Sequence, residues 1–190
     1  DECVRTTNKN KLSDENIENI VSLLKDRKIV ENKSYLATYD EVKDNLGPLD
    51  LWILSKLNNL NKIVDTAFAE YNFAQTITPI ERFFWHDFCD EYIEAVKYRL
   101  YTDVSDESRR AAKYTLRTVV ETSLKLMAPI APFFTEEVYQ YFSDESIHTT
   151  LWPEVHEELI SEDMESKGET TVELIDEVRR FKSASKIPLN

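Results

Sequence analysis

The chain has 190 residues, enough for one bundle-sized core or for one domain with an appendage. It has a formal net charge of −13, with nine Phe, nine Tyr, three Trp and only two Gly, a composition that favours helices joined by short turns. No apolar run approaches the ~18 residues of a membrane span, and residues 1–11 lack the apolar core of a signal peptide, so we expect a cytoplasmic protein. Cys3 and Cys89 lie far apart without metal-ligand spacing, so we expect reduced thiols and no metal or other cofactor.

The first elements are predicted from helix-capping signals. Ser13 and the acidic residues after it predict a helix over about 13–29. Thr38 and Glu41 have capping-box spacing for a short helix that stops near residues 47–48, a glycine followed by a proline. We place the first domain boundary at that glycine-proline pair.

Three longer helices are predicted next along the chain. An apolar stripe predicts a helix over about 49–71. Residues 78–81, Thr-Pro-Ile-Glu, offer an N-cap, a proline at the first helical position and a glutamate at the third, so the next helix should run from there to about Tyr101. After a polar break, a third helix is predicted over 106–127 and is ended by Pro129. Because the connection is short, the last two helices should lie antiparallel.

The final third is predicted to contain two more helices. Pro132 opens a helix over 132–142, and the β-branched residues and proline of 147–153 predict an extended segment. The Glu-rich run after it is expected to be a solvated linker or a frayed helix, followed by a last helix over about 170–184. The predicted fold is all-α, an antiparallel helical bundle. Its domains are a helical appendage (1–46), the bundle (47–153), and an acidic linker with the last helix (154–190).

The negative charge is concentrated in one part of the chain. Residues 131–169 contain eleven acidic side chains and one lysine, a local net charge of −10. Residues 79–130 contain nine acids and eight bases, and residues 170–190 contain three acids and four bases. Other faces of the protein are therefore free to be positive, so the overall charge does not exclude a nucleic-acid partner.

Residues that could support catalysis or bind metal are sparse. Gly47 and Gly168 stand alone, which excludes a glycine-rich phosphate-binding loop. The histidines His86, His148 and His156 have no partner at ligand spacing, and a structural or exposed role for His86 is favoured over a metal or catalytic one. Paired carboxylates in the acidic run are expected to be solvated. We predict no catalytic and no metal-binding residue.

The most informative cluster lies at the turn between the two long antiparallel helices. Basic side chains neutralise phosphates and tyrosine faces stack on unpaired bases, so together they suit a single-stranded RNA loop. The alternative is that these bases favour a helix C-terminus or form a solvated face, and spacing alone leaves both open. Trp85, Phe88 and Tyr92 are assigned to the core. The candidate RNA-contacting residues are Lys97, Tyr98, Arg99, Tyr101, Arg109, Arg110, Lys113, Tyr114 and Arg117.

Four blocks in order resemble the anticodon-binding helical domain of valyl-tRNA synthetase, a class I enzyme. The blocks are LWILSKL (51–57), FWHDFCDEYIE (84–94) with Lys97, LMAPIAPFFTEE (126–137), and SIH (146–148) with WP (152–153). The stretch from 178 to 190 is similar to the next element of archaeal-type members. The family most often has tryptophan where this chain has Glu91.

This resemblance implies a function in translation. It implies a module that grips the anticodon limb of valine tRNA while a separate catalytic domain activates valine. The two ATP-binding signatures of the family, HIGH and KMSKS, do not occur in the sequence. We therefore expect a non-catalytic fragment without aminoacylation or editing activity.

A second resemblance concerns the first residues of the chain. Residues 10–45 resemble the C-terminal tail of the modification methyltransferase subunit of type I restriction systems, but the catalytic NPPF block of that subunit is missing. This leaves two alternatives to tRNA binding. One is a helical assembly module that docks a restriction–modification subunit through residues 10–45, and the other is a remnant that folds without a retained function.

Overall fold

A computed structural model describes residues 37–102, 104–141 and 143–186. The described residues form helices and turns without a strand, which confirms the all-α prediction. The predicted helix over 13–29 lies outside the described residues, as does Cys3.

A short helix and a long helix open the bundle. Helix α1 spans Tyr39–Val42 and continues as a 3₁₀ turn over Lys43–Asn45. The predicted capping contact is present, because a Glu41 carboxylate oxygen accepts a hydrogen bond from the Thr38 backbone nitrogen at 2.8 Å. Helix α2 spans Pro48–Ala69 and has its proline in the first turn, where a missing N–H costs nothing.

The second long helix, α3, begins earlier than predicted. Its three segments are α-helical Ala74–Arg82, π-helical Phe83–Ile93 and α-helical Glu94–Tyr101. The predicted N-cap at Thr78 is wrong, and Pro79 lies inside the helix. Packing accompanies the difference, since the ring of Phe73 before the helix contacts Phe68 of α2 in a tilted arrangement, with centroids 5.2 Å apart.

The apolar side of α3 faces the bundle as expected. Residues Phe88 and Tyr92 are buried and stacked, with ring centroids 6.1 Å apart and an interplanar angle of 16°. Apolar side chains recur every four residues along this side of the helix. Trp85 is only half-buried, in contrast to its predicted place in the core.

Helix α4 completes the central three-helix layer. It spans Asp106–Met127, as predicted, with the Ser105 hydroxyl accepting a hydrogen bond from the backbone nitrogen of Ser108 at its start. Helices α3 and α4 are antiparallel. Arg99 near the end of α3 donates to Ser108 near the start of α4 at 3.0 Å, and Phe84 in the first half of α3 lines one cleft with Met127 at the end of α4. Aliphatic and aromatic side chains of α2, α3 and α4 form one buried hydrophobic cluster.

The chain then crosses back over α2. Helix α5 spans Pro132–Tyr139, shorter than the predicted 132–142. The segment predicted to be extended begins instead with a 3₁₀ turn, Ile147–Thr149, because the Ser146 hydroxyl caps the His148 backbone nitrogen. A second 3₁₀ turn, Glu157–Leu159, is tied to α2 by an ion pair between Glu157 and Lys62.

The last helix, α6, spans Glu162–Ala184 and so begins eight residues before the predicted 170. The expectation of a linker or frayed helix over these residues is wrong for two reasons. The Ser161 hydroxyl accepts a hydrogen bond from the Met164 nitrogen, and acidic residues fill the first turn. In addition, Gly168 packs directly on Trp52 of α2, at a distance where a Cβ would meet the indole at 2.1 Å. No helix of the described residues is long and apolar enough to cross a membrane.

Candidate nucleic-acid interface

The turn between α3 and α4 is organised by a buried ion pair. Arg99 is 6% exposed, and its Nη1 lies 2.8 and 2.7 Å from the two carboxylate oxygens of Asp50, which is fully buried at the start of α2. The Tyr92 hydroxyl donates to the same carboxylate at 2.6 Å, and the Gly47 backbone nitrogen donates to it at 2.8 Å. Burial, and then the Asp50 charge, raise the pKa of Tyr92 well above its ordinary value, so Tyr92 remains the donor.

The same arginine also reaches the first turn of α4. Its Nε donates to the hydroxyl of Ser108 at 3.0 Å, and its Nη2 donates to the Ser108 carbonyl at 2.8 Å. Arg99 therefore connects the ends of three helices, and its guanidinium is not on the protein surface with the other candidate residues. Sequence reasoning missed Asp50 because its partner lies 49 residues away, with no local signal to join them.

Two tyrosines at the end of α3 are exposed. Tyr98 is 58% exposed and Tyr101 is 59% exposed. The backbone carbonyl of Tyr98 accepts from both the nitrogen and the hydroxyl of Thr102, at 2.9 and 2.5 Å, so Thr102 caps the helix directly after Tyr101. Large aromatic side chains this exposed at a rigid helix end present their faces to solvent and are suited to stacking on a base.

Two arginines of α4 lie beside this helix end. Arg109 donates from Nη1 to Asp106 and from Nη2 to the carbonyl of Thr102, both at 3.0 Å, so its side chain spans the α3–α4 connection. Arg110 is exposed one position further along the helix. We call the set Tyr98, Tyr101, Arg109 and Arg110 the tyrosine–arginine surface.

The remaining candidate RNA-contacting residues are ion-paired or partly buried. Lys97 is ion-paired with Glu94 on its own helix, and Lys113 is half-buried. Tyr114 packs against Tyr39 of α1, with ring centroids 6.4 Å apart, and burial raises its pKa.

Arg117 is the furthest from the turn, roughly 12 Å along the helix from Arg109. Its side chain is 16% exposed, with Nε 3.6 Å from a Glu121 oxygen. The structure therefore brings together the residues nearest the turn, whereas Tyr114 and Arg117 pack against neighbouring side chains.

His86 is exposed at the surface, and Cys89 is partly buried. The side chain of His86 is 64% exposed, and its Nδ1 lies 4.0 Å from Asp87, whose carboxylate also pairs with Lys56 at 3.1 Å. Burial raises the pKa of Cys89 to about 12, so its thiol is protonated at neutral pH. Within 37–102, 104–141 and 143–186, no group of three or more His, Cys, Asp or Glu side chains could hold a metal ion.

Comparison with known proteins gives a family match. The family described as the anticodon-binding domain of tRNA ligase matches residues 50–190. The chain is 54% identical over 143 residues to a valine–tRNA ligase of Methanothermobacter thermautotrophicus, covering 75% of this chain and 16% of the relative. It is 48% identical over 150 residues to the enzyme of Methanosarcina acetivorans, covering 77% and 17%. The match to that of Methanocaldococcus jannaschii is 40% over 154 residues, covering 80% and 17%.

The chain thus spans about one sixth of the length of these relatives. The family match begins at residue 50. The resemblance of residues 10–45 to a methyltransferase tail is not tested by these matches and stays a prediction.

Proposed function

The chain belongs to the family of anticodon-binding domains of tRNA ligases, and from this we propose that its helical bundle binds the anticodon limb of a tRNA, with valine tRNA preferred. The preference is supported by the similarity to three valine–tRNA ligases. The bundle is proposed to bind without catalysing aminoacylation, since the two ATP-binding signatures do not occur in its sequence.

The tyrosine–arginine surface carries this proposal. An anticodon loop offers unpaired bases together with a bend of phosphates, and proteins recognise such loops by stacking and by charge. Tyr98 and Tyr101 are each more than half exposed at the end of one helix. Arg109 lies across the same turn with 29% of its side chain exposed. Stacking faces and a cation are therefore within one short stretch of surface.

The distribution of acidic residues supports the same side of the molecule. Several carboxylates of the acidic segment 131–169 are held against α2, on which α6 packs. Glu165 accepts from Ser55 at 2.5 Å and from Asn59 at 2.6 Å. Glu157 pairs with Lys62 at 2.7 Å. Negative charge used in these contacts lies apart from the α3–α4 turn, so the turn is the favoured approach for a polyanion.

The buried Arg99 has a different role in this proposal. We assign it as a positioning residue that holds the end of α3 on the start of α4. The phosphate contacts are assigned to Arg109 and Arg110, with Lys97 and Lys113 at the edge of the same surface. Docking of a restriction–modification subunit through residues 10–45 stays an untested alternative, and it predicts protein binding that survives high salt.

The test is a binding titration of the full chain with valine tRNA, a non-cognate tRNA, and the isolated anticodon stem-loop of each. Measured across a salt series, the proposal expects tighter binding to valine tRNA, retention of most of that preference by the stem-loop, and weakening as salt rises. An acceptor-stem minihelix of valine tRNA is the matched control. Equal affinity for the minihelix and the stem-loop, or no binding at low salt, contradicts the proposal.

A further inference from the structure

An open apolar cleft lies near the opposite end of α4 from the tyrosine–arginine surface. It lies between α3, α4 and α5. Its floor is formed by buried aliphatic side chains, and its walls include the half-buried rings of Phe84, Trp85 and Phe134. Mostly apolar clefts that are lined by aromatic side chains and contain a few polar groups are typical of small-molecule sites.

The cleft contains a buried hydroxyl without a partner. Ser123 is 3% exposed, and its Oγ makes no hydrogen bond to any other residue that the structure describes. Most buried polar groups are satisfied, because an unpaired one costs roughly 1–3 kcal/mol. A serine on a helix often bonds a carbonyl of the preceding turn. Ser123 instead lines the cleft, which leaves its hydrogen bond for an occupant.

A carboxylate lies at the edge of the same cleft. Glu81 of α3 lines it and is partly exposed. The structure gives Glu81 no ion pair or hydrogen bond with the side chains it describes. A negative charge above an apolar cleft favours a ligand whose own charge is positive.

We propose that this cleft binds a small aromatic amine whose ring carries one polar atom. The flat ring lies between Phe84, Trp85 and Phe134, and its polar atom pairs with the Ser123 hydroxyl. The protonated amine pairs with Glu81 at the mouth. Met127 also lines the cleft, and its flexible thioether can adapt to the outline of a ring.

This site is separate from the proposed tRNA contact. Ser123 and Arg109 lie on the same helix, fourteen positions apart, which corresponds to roughly 21 Å. The inference therefore does not depend on tRNA binding, and either can fail without the other.

The test uses tryptamine as the probe, with tryptophol and indole-3-acetate as matched analogues. The three share the indole ring and differ in an amine, a hydroxyl or a carboxylate at the end of the side chain. Binding to the full chain is followed by NMR at the Met127 methyl and the Trp85 indole. Tryptamine should bind about three- to fivefold tighter than tryptophol, as expected for a partly exposed ion pair, and indole-3-acetate should bind most weakly.

Two variants assign the contacts. Glu81→Gln should bring tryptamine down to the affinity of tryptophol and leave tryptophol unchanged. Ser123→Ala should weaken tryptamine and tryptophol alike, by about threefold to tenfold. Glu137→Gln, an exposed carboxylate of α5 outside the cleft, is the matched control and should change nothing.

Several results overturn the inference. These are unchanged Met127 and Trp85 signals at millimolar tryptamine, equal binding of tryptamine and indole-3-acetate, or an equal effect of Glu81→Gln and Glu137→Gln. Thermal unfolding of each variant confirms that it is folded before it is titrated.

Discussion

The carboxylate of Asp50 and the guanidinium of Arg99, 49 positions apart in the chain, form a buried ion pair at 2.7 Å. This pair joins the start of α2 to the end of α3, and Arg99 extends it to Ser108 in the first turn of α4. The exposed residues of the tyrosine–arginine surface are thus positioned by a contact that does not reach the surface itself.

Removing one partner of this pair should strongly destabilise the fold. Arg99→Met leaves the fully buried Asp50 charge without its cation, and breaking a buried pair in this way typically costs about 3–5 kcal/mol. The measurement is the free energy of unfolding from urea titration. The double variant Asp50→Leu/Arg99→Met should recover a large part of the loss. A single variant within about 0.5 kcal/mol of the parent would show that the pair has no structural role.

Replacing the two exposed tyrosines should reduce tRNA affinity without destabilising the protein. Tyr98→Ala/Tyr101→Ala removes both stacking faces, and a base–aromatic stack is worth about 1–3 kcal/mol, so the affinity for the valine anticodon stem-loop should fall at least tenfold. Tyr98→Phe/Tyr101→Phe keeps the rings and should retain most of the binding. If the alanine and phenylalanine pairs bind alike, stacking is not the source of affinity.

The arginines of the surface should determine the salt dependence of binding. Arg109→Ala/Arg110→Ala removes two proposed phosphate contacts, so the slope of log affinity against log salt should become shallower by roughly 1.4 to 1.8. Arg180→Ala/Lys182→Ala on α6 makes the same charge change elsewhere and is the matched control. A control slope that changes as much as the test slope would assign the effect to net charge alone.

A methyl group at Gly168 should disturb the packing of α6 on α2. A Cβ there would lie 2.1 Å from Cγ of Trp52, which is itself buried, so Gly168→Ala should lower the free energy of unfolding by about 1–3 kcal/mol. Gly47→Ala is the matched control, because its Cβ would be 3.6 Å from the nearest atom, Oδ2 of Asp50. Urea titration of both variants gives the comparison. Equal stability of the two would mean that α6 shifts at little cost.

Stability should also depend on pH through Glu91. Burial, reinforced by the charge of Asp176, raises the pKa of Glu91 above its usual 4.5, although Arg179 at 3.8 Å opposes this. The protonated form is thus favoured in the folded state, and its contribution to stability is present below pH 4.5 and lost as pH rises through the folded-state pKa. Glu91→Gln should therefore gain stability over the parent as pH rises above 4.5.

The check on this prediction is urea unfolding at several pH values between acid and neutral. Glu177→Gln is the control, because its carboxylate is 68% exposed and pairs with Arg180 at the surface. The difference between Glu91→Gln and the parent should widen with pH, whereas the control difference should stay nearly flat. A flat difference for Glu91→Gln would mean that burial does not perturb this carboxylate.

Helix α4 is an element whose bounds could be predicted from neighbouring residues alone. Its bounds, Asp106–Met127, agree with the prediction because its cap, its acidic first turn and its apolar periodicity all lie within the helix or next to it. The start of α3 was misplaced at Thr78 for the opposite reason. A proline at the first helical position is a common local signal, but the contact of Phe73 with Phe68 extends the helix before it.

The features of the candidate interface likewise fall into those that local patterns predict and those that distant contacts determine. Residue types and helix order were sufficient to predict an all-α bundle, an antiparallel α3–α4 pair and a cluster of bases and tyrosines at their turn, because periodicity and short connections act over a few residues. The burial of Arg99 and the packing of Gly168 of α6 on Trp52 depend on partners between about ten and a hundred positions away. Contacts at that separation are set by how the helices pack, which local patterns do not encode.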